Sequence, residues 1–560
     1  MDDFAIYYTA SSMRHAERIL NTAIRKIDNW ATSVGFQFSI EKTQAILFYK
    51  DVRWTRHEEI ELKIKDHLIP ISQTVKFLGL VFDTHLNWKA HVAYIKGKCK
   101  NALNLMKKLS HTTWGADRST LMMIYKATVL SILDYGCQIY GSASEATLKI
   151  LDPIHNEGLR LCSGAFRSSP CNSLQVESGE LPLNLHRDLI TIRSAVRIQA
   201  SDSPTKALFE QRDIFINNHT PSFPIRASRL LEDMNIDINI PQTVNLPPPW
   251  LMHEIKICTE LNYLTKKSND TTDHYKQHTL QHISKKPPHY AIYTDGSKSS
   301  TGVGYAAISV DEKIQFSLPK TATIFTAELC AILDAIKFAR KLPSQKFIIY
   351  TDSKSSIEAL KNFNPKNSLV QEIKYTLHKH YEAGRNIELC WIPSHVGFKG
   401  NKDADRAVKA ATTMTQSNIK IPINDYMPMI KSSLMNKWQI SWDNENINKL
   451  KEIKPNVGFW QTSLQKERHM SVILSRLRIG HTKFTHGYLM NTPHDPIPTC
   501  RECNTIVTVK HILCDCQNFN QQRQITFGNK TLEEILSESP NFSIYPIIKF
   551  LKKCNLLDKI

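Results

Sequence analysis

Between residues 290 and 412 the spacing of apolar positions changes period several times, and each change marks an element. Alternating or continuous β-branched and aromatic runs predict strands at 290–295, 303–309, 313–318, 346–351 and 386–392. Three-to-four spacing predicts helices at 325–340, 353–361, 367–382 and 400–412. Three strands followed by alternating helix and strand suggest a mixed α/β sheet. Upstream, Ile19, Leu20, Ala23, Ile24, Ile27, Trp30 and Ala31 fall at helical spacing over about 13–34, and Gly35 ends that run. The stretch GFQFSIEKTQAILFYK then reads as turn, strand, turn, strand, and a second strand pair follows in IELKIKDHLIPI and VKFLGLVFD. Residues 91–200 are helical, with stops at Gly136, Gly141, Gly164 and Pro170. Residues 201–286 are punctuated by Pro221, Pro224, Pro241 and Pro247 to Pro249. They read as a linker with a helix over 252–263 and a polar, mobile stretch at 266–286. Residues 416–490 are helical and basic, and 526–560 carry short helices with an apolar end.

Composition adds a partner. The chain has 560 residues, a formal charge of +18 and 41% hydrophobic residues, enough for three or four packed cores. Its basic residues are spread along the whole length, which favours a polyanion, most simply nucleic acid. No apolar run approaches the roughly 18 residues of a membrane span, so no membrane partner is expected. The acidic start MDDFAIYY lacks a basic-then-apolar leader. Of the 12 cysteines, Cys137, Cys162, Cys330 and Cys390 lie in apolar runs and read as reduced core thiols. An intracellular, nuclear and/or cytoplasmic location is expected, with no secretion.

Four acids carry the candidate chemistry. Asp295 in YAIYTDGSK and Asp352 in KFIIYTDSK sit at strand ends; Glu328 in TAELCAI and Asp405 in KGNKDADRA sit on helices. Hard divalent cations bind carboxylate oxygens, and two-ion hydrolysis of phosphodiesters needs several carboxylates around ions about 3.5–4 Å apart. His395 lies in the loop WIPSHVGFKGN, where Gly397 and Gly400 give freedom. A loop imidazole near neutrality can shuttle protons or help product leave. Asp403 is a rival to Asp405, but two residues apart on a helix they face different directions.

These four motifs, in this order and spacing, resemble the ribonuclease H type 1 family. The resemblance implies a ribonuclease H-like mixed five-stranded sheet flanked by helices, over 287–415. It implies endonucleolytic cleavage of the RNA strand of RNA–DNA hybrids with two Mg²⁺ ions, Mn²⁺ being the alternative, leaving a 3′-hydroxyl and a 5′-phosphate. Asp295, Glu328, Asp352 and Asp405 would hold the ions, and His395 would complete the catalytic set. Where cellular members place amides that read the hybrid's minor groove, this chain has Ile324 and Phe325, and Lys354 replaces a glutamine.

The flanks resemble the polyproteins of non-long-terminal-repeat retrotransposons of the jockey and I type. Asp2 and Asp3, followed by a helix, EKTQAILF at 41–48 and the Phe77-Leu78-Gly79 hairpin, look like the back half of a reverse-transcriptase palm over 1–90. The helical thumb and connection would occupy 91–200. In the family those two acids bind Mg²⁺ together with an upstream Asp. This chain lacks that Asp and looks N-terminally truncated, so Asp2 and Asp3 are expected to be a non-functional remnant and polymerase activity is not expected. Cys500-x2-Cys503-x7-His511-x4-Cys516 has the spacing of a tetrahedral zinc site, with Cys514 as a spare thiol. It resembles the C-terminal knuckle of the same polyproteins, over 491–525, and implies a structural Zn²⁺. Two readings follow: a hybrid-cutting nuclease, or a remnant that binds nucleic acid and cuts nothing.

Overall fold

The computed structural model describes residues 4–49, 60–201, 204–210, 221–242, 244–261, 272–394, 399–491 and 496–560. Two compact units share the chain. One comprises Met1–Thr191, Phe215–Arg226 and Leu434–Ile560; the other comprises Ile192–Ile214 and Ala227–Ser433.

The second unit is built on one six-stranded sheet. Its strands are β1 (Lys256–Cys258), β2 (Tyr290–Lys298), β3 (Val303–Ile308), β4 (Lys313–Leu318), β5 (Lys346–Thr351) and β6 (Asn386–Trp391). Their spatial order is β1-β6-β5-β2-β3-β4. The pairs β1/β6, β6/β5 and β5/β2 are parallel, while β2/β3 and β3/β4 are antiparallel meanders. The helices are α1 (Ile324–Ala339), α2 (Lys354–Lys361), α3 (Ser368–Glu382) and α4 (Lys399–Ala411).

The sheet has six strands where five were expected, because 256–258 is an edge strand and not part of a helix over 252–263. Cys258 pairs with Cys390 in parallel register. Short apolar runs such as IKIC fit either element, and the free edge of β6 selects the strand. The expected mobile stretch at 266–286 likewise contains a helix, Thr272–Ser284.

Helix α1 is apolar almost all round and correspondingly buried. Its N-terminus is fixed twice. Thr323 accepts a hydrogen bond from the Thr326 amide. Asp425 in turn accepts from the Thr323 amide at 3.2 Å and its hydroxyl at 3.1 Å. Helix α4 is amphipathic and presents Ala404, Ala407, Val408 and Ala411 inward. A side chain on Gly296 would strike Glu328 of α1, and one on Gly400 of α4 would strike the Tyr293 ring. Strand side chains alternate between faces, so α1 and α4 cover opposite faces of β2. Gly400 therefore serves close packing on Tyr293, at 2.5 Å from an added Cβ, and not loop freedom as the sequence suggested.

The other unit is mainly helical. The run at 13–34 forms a helix, Met13–Ser33, and Gly35 follows with φ +82°. No ladder forms in 36–49; Ala45 makes one isolated bridge to Ile71, so the two strands expected there lack a partner among the described residues. The hairpin Thr74–Phe77/Leu80–Asp83 turns through Leu78 and Gly79, both at positive φ, as a tight two-residue turn requires. Helices Lys89–Leu109, Arg118–Tyr125 and Asp152–Ser163 share a core built around Val92, Cys99, Leu103, Leu121, Tyr125 and Leu159. The helix Arg468–Ile479 contributes Ile479 to that core and Leu474 and Leu477 to another. The latter gathers Ile453, Val507, Ile512, Leu536, Phe550 and Ile560, so residues 526–560 pack with the cysteine-rich segment rather than trailing from it.

A buried charge cluster ties these helices together. Glu177 receives Arg118 at 3.0 Å and lies 3.8 Å from Arg478, with all three side chains inaccessible. Burial pushes the Glu177 carboxyl up, but Arg478, Arg118 and Lys454 hold it below the usual range. Glu177→Ala would strand two guanidinium groups. A loss of about 3–5 kcal/mol is expected, measured by urea unfolding of this unit followed by tryptophan fluorescence.

Candidate active site

Backbone register places the first two acids side by side. Thr294 of β2 pairs with Thr351 of β5 in parallel. Asp295 follows within β2 and Asp352 follows immediately past the end of β5, so the two acids leave the last registered pair side by side. The Trp391 indole, at the end of β6, donates to the Asp352 carbonyl at 3.1 Å and fixes the turn out of β5. Ser353 then caps α2 by accepting from the Ser356 amide.

Glu328 reaches the same place from the first turns of α1. The helix comes this close because Gly296 has no side chain: a Cβ there would lie 2.6 Å from the Glu328 amide nitrogen. One oxygen each of Asp295, Glu328 and Asp352 lie within 4.8 Å of one another. Glu328 is 7% exposed, and its Oε2 is buried without a hydrogen-bond partner among the described residues.

Asp405 approaches from α4. Its charge bears on the Asp295 carboxyl, and Lys409 lies 3.5 Å from it. Asp403 turns away and pairs with Arg406 at 2.9 Å. Three acids thus share one tight cluster and Asp405 adjoins it through Asp295. His395 lies outside the described residues, as do Asp2 and Asp3.

The electrostatics of the cluster are those of crowded anions. Burial first, and then the charges of Asp352 and Asp405, push Asp295 up to about 7. Burial, Asp352 and Asp295 push Glu328 well above the ordinary carboxylate range, while a Gly296 backbone hydrogen bond opposes both shifts. Carboxylates in such a site are stabilised by a cation, which offsets the repulsion and gives the buried Glu328 oxygen a partner. The donor set is all oxygen and suits Mg²⁺ or Mn²⁺.

Around the cluster, Ile324 is 54% exposed at the start of α1, with Phe325 half-buried beside it. Lys354 is exposed at the start of α2. Lys337, further along α1, is paired with Glu372 at 2.7 Å.

Two Cys/His groups lie elsewhere. Ligand atoms of Cys500, Cys503, His511 and Cys516 all fall within 4.8 Å of one another. The sulfurs of Cys500 and Cys516 are 3.8 Å apart. His511 is hydrogen-bonded at Nδ1 by Thr505 and leaves a buried Nε2 without a partner among the described residues. Cys514 is outside this set and packs against the apolar core. The second group, Cys258, His282 and Cys390, has no signal in the sequence. Its members are 24 and 108 residues apart, and only the added strand β1 brings them together.

Residues 287–413 match the family model described as RNase H. The chain is 23% identical over 196 residues to the Pol polyprotein of the type-1 retrotransposable element R1 4 of Nasonia vitripennis, covering 32% of this chain and 50% of that protein. It is 24% identical over 187 residues to the R1 polyprotein of Bradysia coprophila, covering 33% of this chain and 18% of that protein. Ribonuclease H1 of Homo sapiens is 22% identical over 178 residues, covering 26% of this chain and 62% of that protein. A solved N-terminal RNase H domain from Mycobacterium tuberculosis aligns with 22% of this chain and 94% of that chain, at 20% identity and a TM-score of 0.19. Residues 287–413 are thus an RNase H family domain. They sit in a chain related to the reverse-transcriptase and RNase H region of non-long-terminal-repeat retrotransposon polyproteins. The chain spans half or less of the length of the two R1 relatives. No described helix is long and apolar enough to cross a membrane.

The raised acids give a pH signature. Unfolded Asp ionises near its ordinary value of 3.8 and folded Asp295 near 7, so the folded state holds the extra proton between these limits. In chelator, this contribution to stability is full below about pH 4 and is lost as pH rises through 7. Asp295→Asn removes it, so the stability difference between variant and parent should shift in the variant's favour from pH 5 to pH 8. Millimolar Mg²⁺ at pH 8 should raise the parent's thermal midpoint more than the variant's. Calorimetry with and without chelator measures both.

Proposed function

We propose that residues 287–413 hydrolyse the RNA strand of RNA–DNA hybrids in an endonucleolytic reaction. The observation that carries this reading is the convergence of Asp295, Glu328 and Asp352, with a buried Glu328 oxygen left for a cation. Family membership of the domain supports it.

Asp295, Glu328, Asp352 and Asp405 would hold two divalent ions. When bound, these supply Lewis-acid stabilisation of charge on the phosphate and lower the pKa of the attacking water. The chain's own contribution is placement. Asp295 and Asp352 are fixed by parallel strand register, so their spacing is set by backbone hydrogen bonds and not by rotamer choice. Glu328 is held by a capped helix packed onto Gly296. Asp405 is carried by α4 on the other face and would complete the set. In this reading His395 moves protons to and from the reacting oxygens, or assists product departure.

The substrate contacts differ from those of cellular family members. Ile324 and Phe325 offer apolar contact where amides would meet the minor groove, and exposed Lys354 offers a phosphate contact. The Cys500, Cys503, His511 and Cys516 set would bind Zn²⁺ as four protein ligands with no open position, hence structurally. In that role it orders a nucleic-acid-handling module continuous with the Ile453–Ile560 core. The net charge of +18 supplies the general attraction to phosphate.

Incubating the full chain with labelled hybrid and Mg²⁺ should give internal RNA cleavage that chelator abolishes. Asp352→Asn forfeits several kcal/mol of charge stabilisation, about a 10³-fold loss of rate. Salt-dependent hybrid binding without cleavage would instead identify a binding remnant. For the cysteine set, a zinc chelator should lower the thermal midpoint of the unit containing Leu434–Ile560, and Cys503→Ser should reproduce the shift without chelator.

A further inference from the structure

We infer that Cys258, His282 and Cys390 form a second zinc site, which clips the edge strand β1 and the helix Thr272–Ser284 to the sheet. The three ligand atoms lie within 4.8 Å of one another. His282 Nε2 is 3.3 Å from the Cys258 sulfur and 3.9 Å from the Cys390 sulfur. Tetrahedral zinc, with bonds of about 2.3 Å to sulfur and 2.05 Å to nitrogen, puts sulfur and nitrogen ~3.6 Å apart. The observed pair brackets that separation, so an ion enters without moving the backbone.

Each ligand is held by an independent constraint. Cys258 and Cys390 are direct partners in the parallel β1/β6 ladder, which puts both sulfurs on one face. The helix Thr272–Ser284 brings the imidazole over that face. Glu260 lies 3.4 Å from His282 Nδ1 and favours the tautomer that turns an unprotonated Nε2 toward the sulfurs. A carboxylate behind a ligating histidine is the usual outer partner in such sites.

Charge and softness select the ion. Two thiolates, a neutral imidazole and Zn²⁺ sum to zero, so a site this buried carries no net charge. The nearby Lys286 ammonium is already matched by Glu388 at 2.5 Å. Sulfur and imidazole exclude Mg²⁺ and suit zinc. Three protein ligands leave a fourth position for a water. The ion binds as the two thiols release their protons to solvent. Trp391, which bonds the Asp352 carbonyl, directly follows Cys390, so the clip also steadies the strand end beside the acid cluster.

The inference does not rest on the nuclease reading, and the test separates it from the Cys500 set. Full-length chain carrying Cys500→Ser and Cys503→Ser is purified in reducing buffer and its zinc measured by atomic emission after gel filtration. It should retain about one equivalent, and adding Cys258→Ser or His282→Ala should remove it. Replacing zinc with Co²⁺ in the same background should give a thiolate charge-transfer band in the near ultraviolet that is lost with Cys258→Ser. The unaltered chain provides a variant-free check: a chelator should make Cys258 and Cys390 reactive to N-ethylmaleimide, as read by peptide mass spectrometry. Zinc content unchanged by Cys258→Ser, labelling independent of chelator, or a Cys258–Cys390 disulfide in chain isolated under non-reducing conditions would overturn the proposal.

Discussion

Repulsion among buried carboxylates is the constraint on which the second unit turns. Asp295, Glu328 and Asp352 are pressed together where burial alone disfavours their charge. Left to rotamer freedom, they would separate. They are instead attached to the least compliant parts of the fold: two parallel strands in fixed register, and a buried helix that touches the sheet at a glycine. The doubly anchored cap at Thr323, bonded to Asp425, keeps that helix from sliding away. Crowding of this kind is relieved by a divalent cation, which would offset the repulsion among the three acids.

The surroundings are arranged to support that cluster from both sides of the sheet. Helix α1 covers one face and carries Glu328; α4 covers the other and carries Asp405. Beyond β5, strand β6 supplies Trp391 to Asp352 and Cys390 to the thiol–imidazole group. Strand β1 occupies what would otherwise be a free parallel edge, and exposed edges invite unwanted pairing. A segment that looks like linker is thus a structural part of the six-stranded sheet.

The other unit solves a different problem, the burial of cations. Arg118 and Arg478 converge on Glu177, while Arg468 donates to the carbonyls of Leu161 and Ser110. Removing a guanidinium from water is tolerable only where such acceptors are ready. The cost is met by carbonyls at helix ends, which lack partners within their own helices. These contacts join Arg468–Ile479 to helices far earlier in the chain.

Much of the central sheet was legible in the sequence, because local period determines element type. β2 to β6 and all four helices fall within a few residues of the positions their apolar spacing indicates. The four acids and the Cys500 set were legible for a related reason: each stands in a short motif whose spacing is itself the geometry. What the sequence could not contain is contact between distant segments. The short run at 256–258 has no period long enough to distinguish strand from helix, and it is a strand only because β6 offers an unpaired edge. Likewise Gly400 reads as loop freedom until Tyr293 is seen against it. Cys258, His282 and Cys390, far apart in the chain, become neighbours only through strand pairing and helix packing. By itself the sequence determined the elements and the local motifs. Tertiary structure decided which of their side chains share a site, because proximity between remote residues is set by packing and not by spacing along the chain.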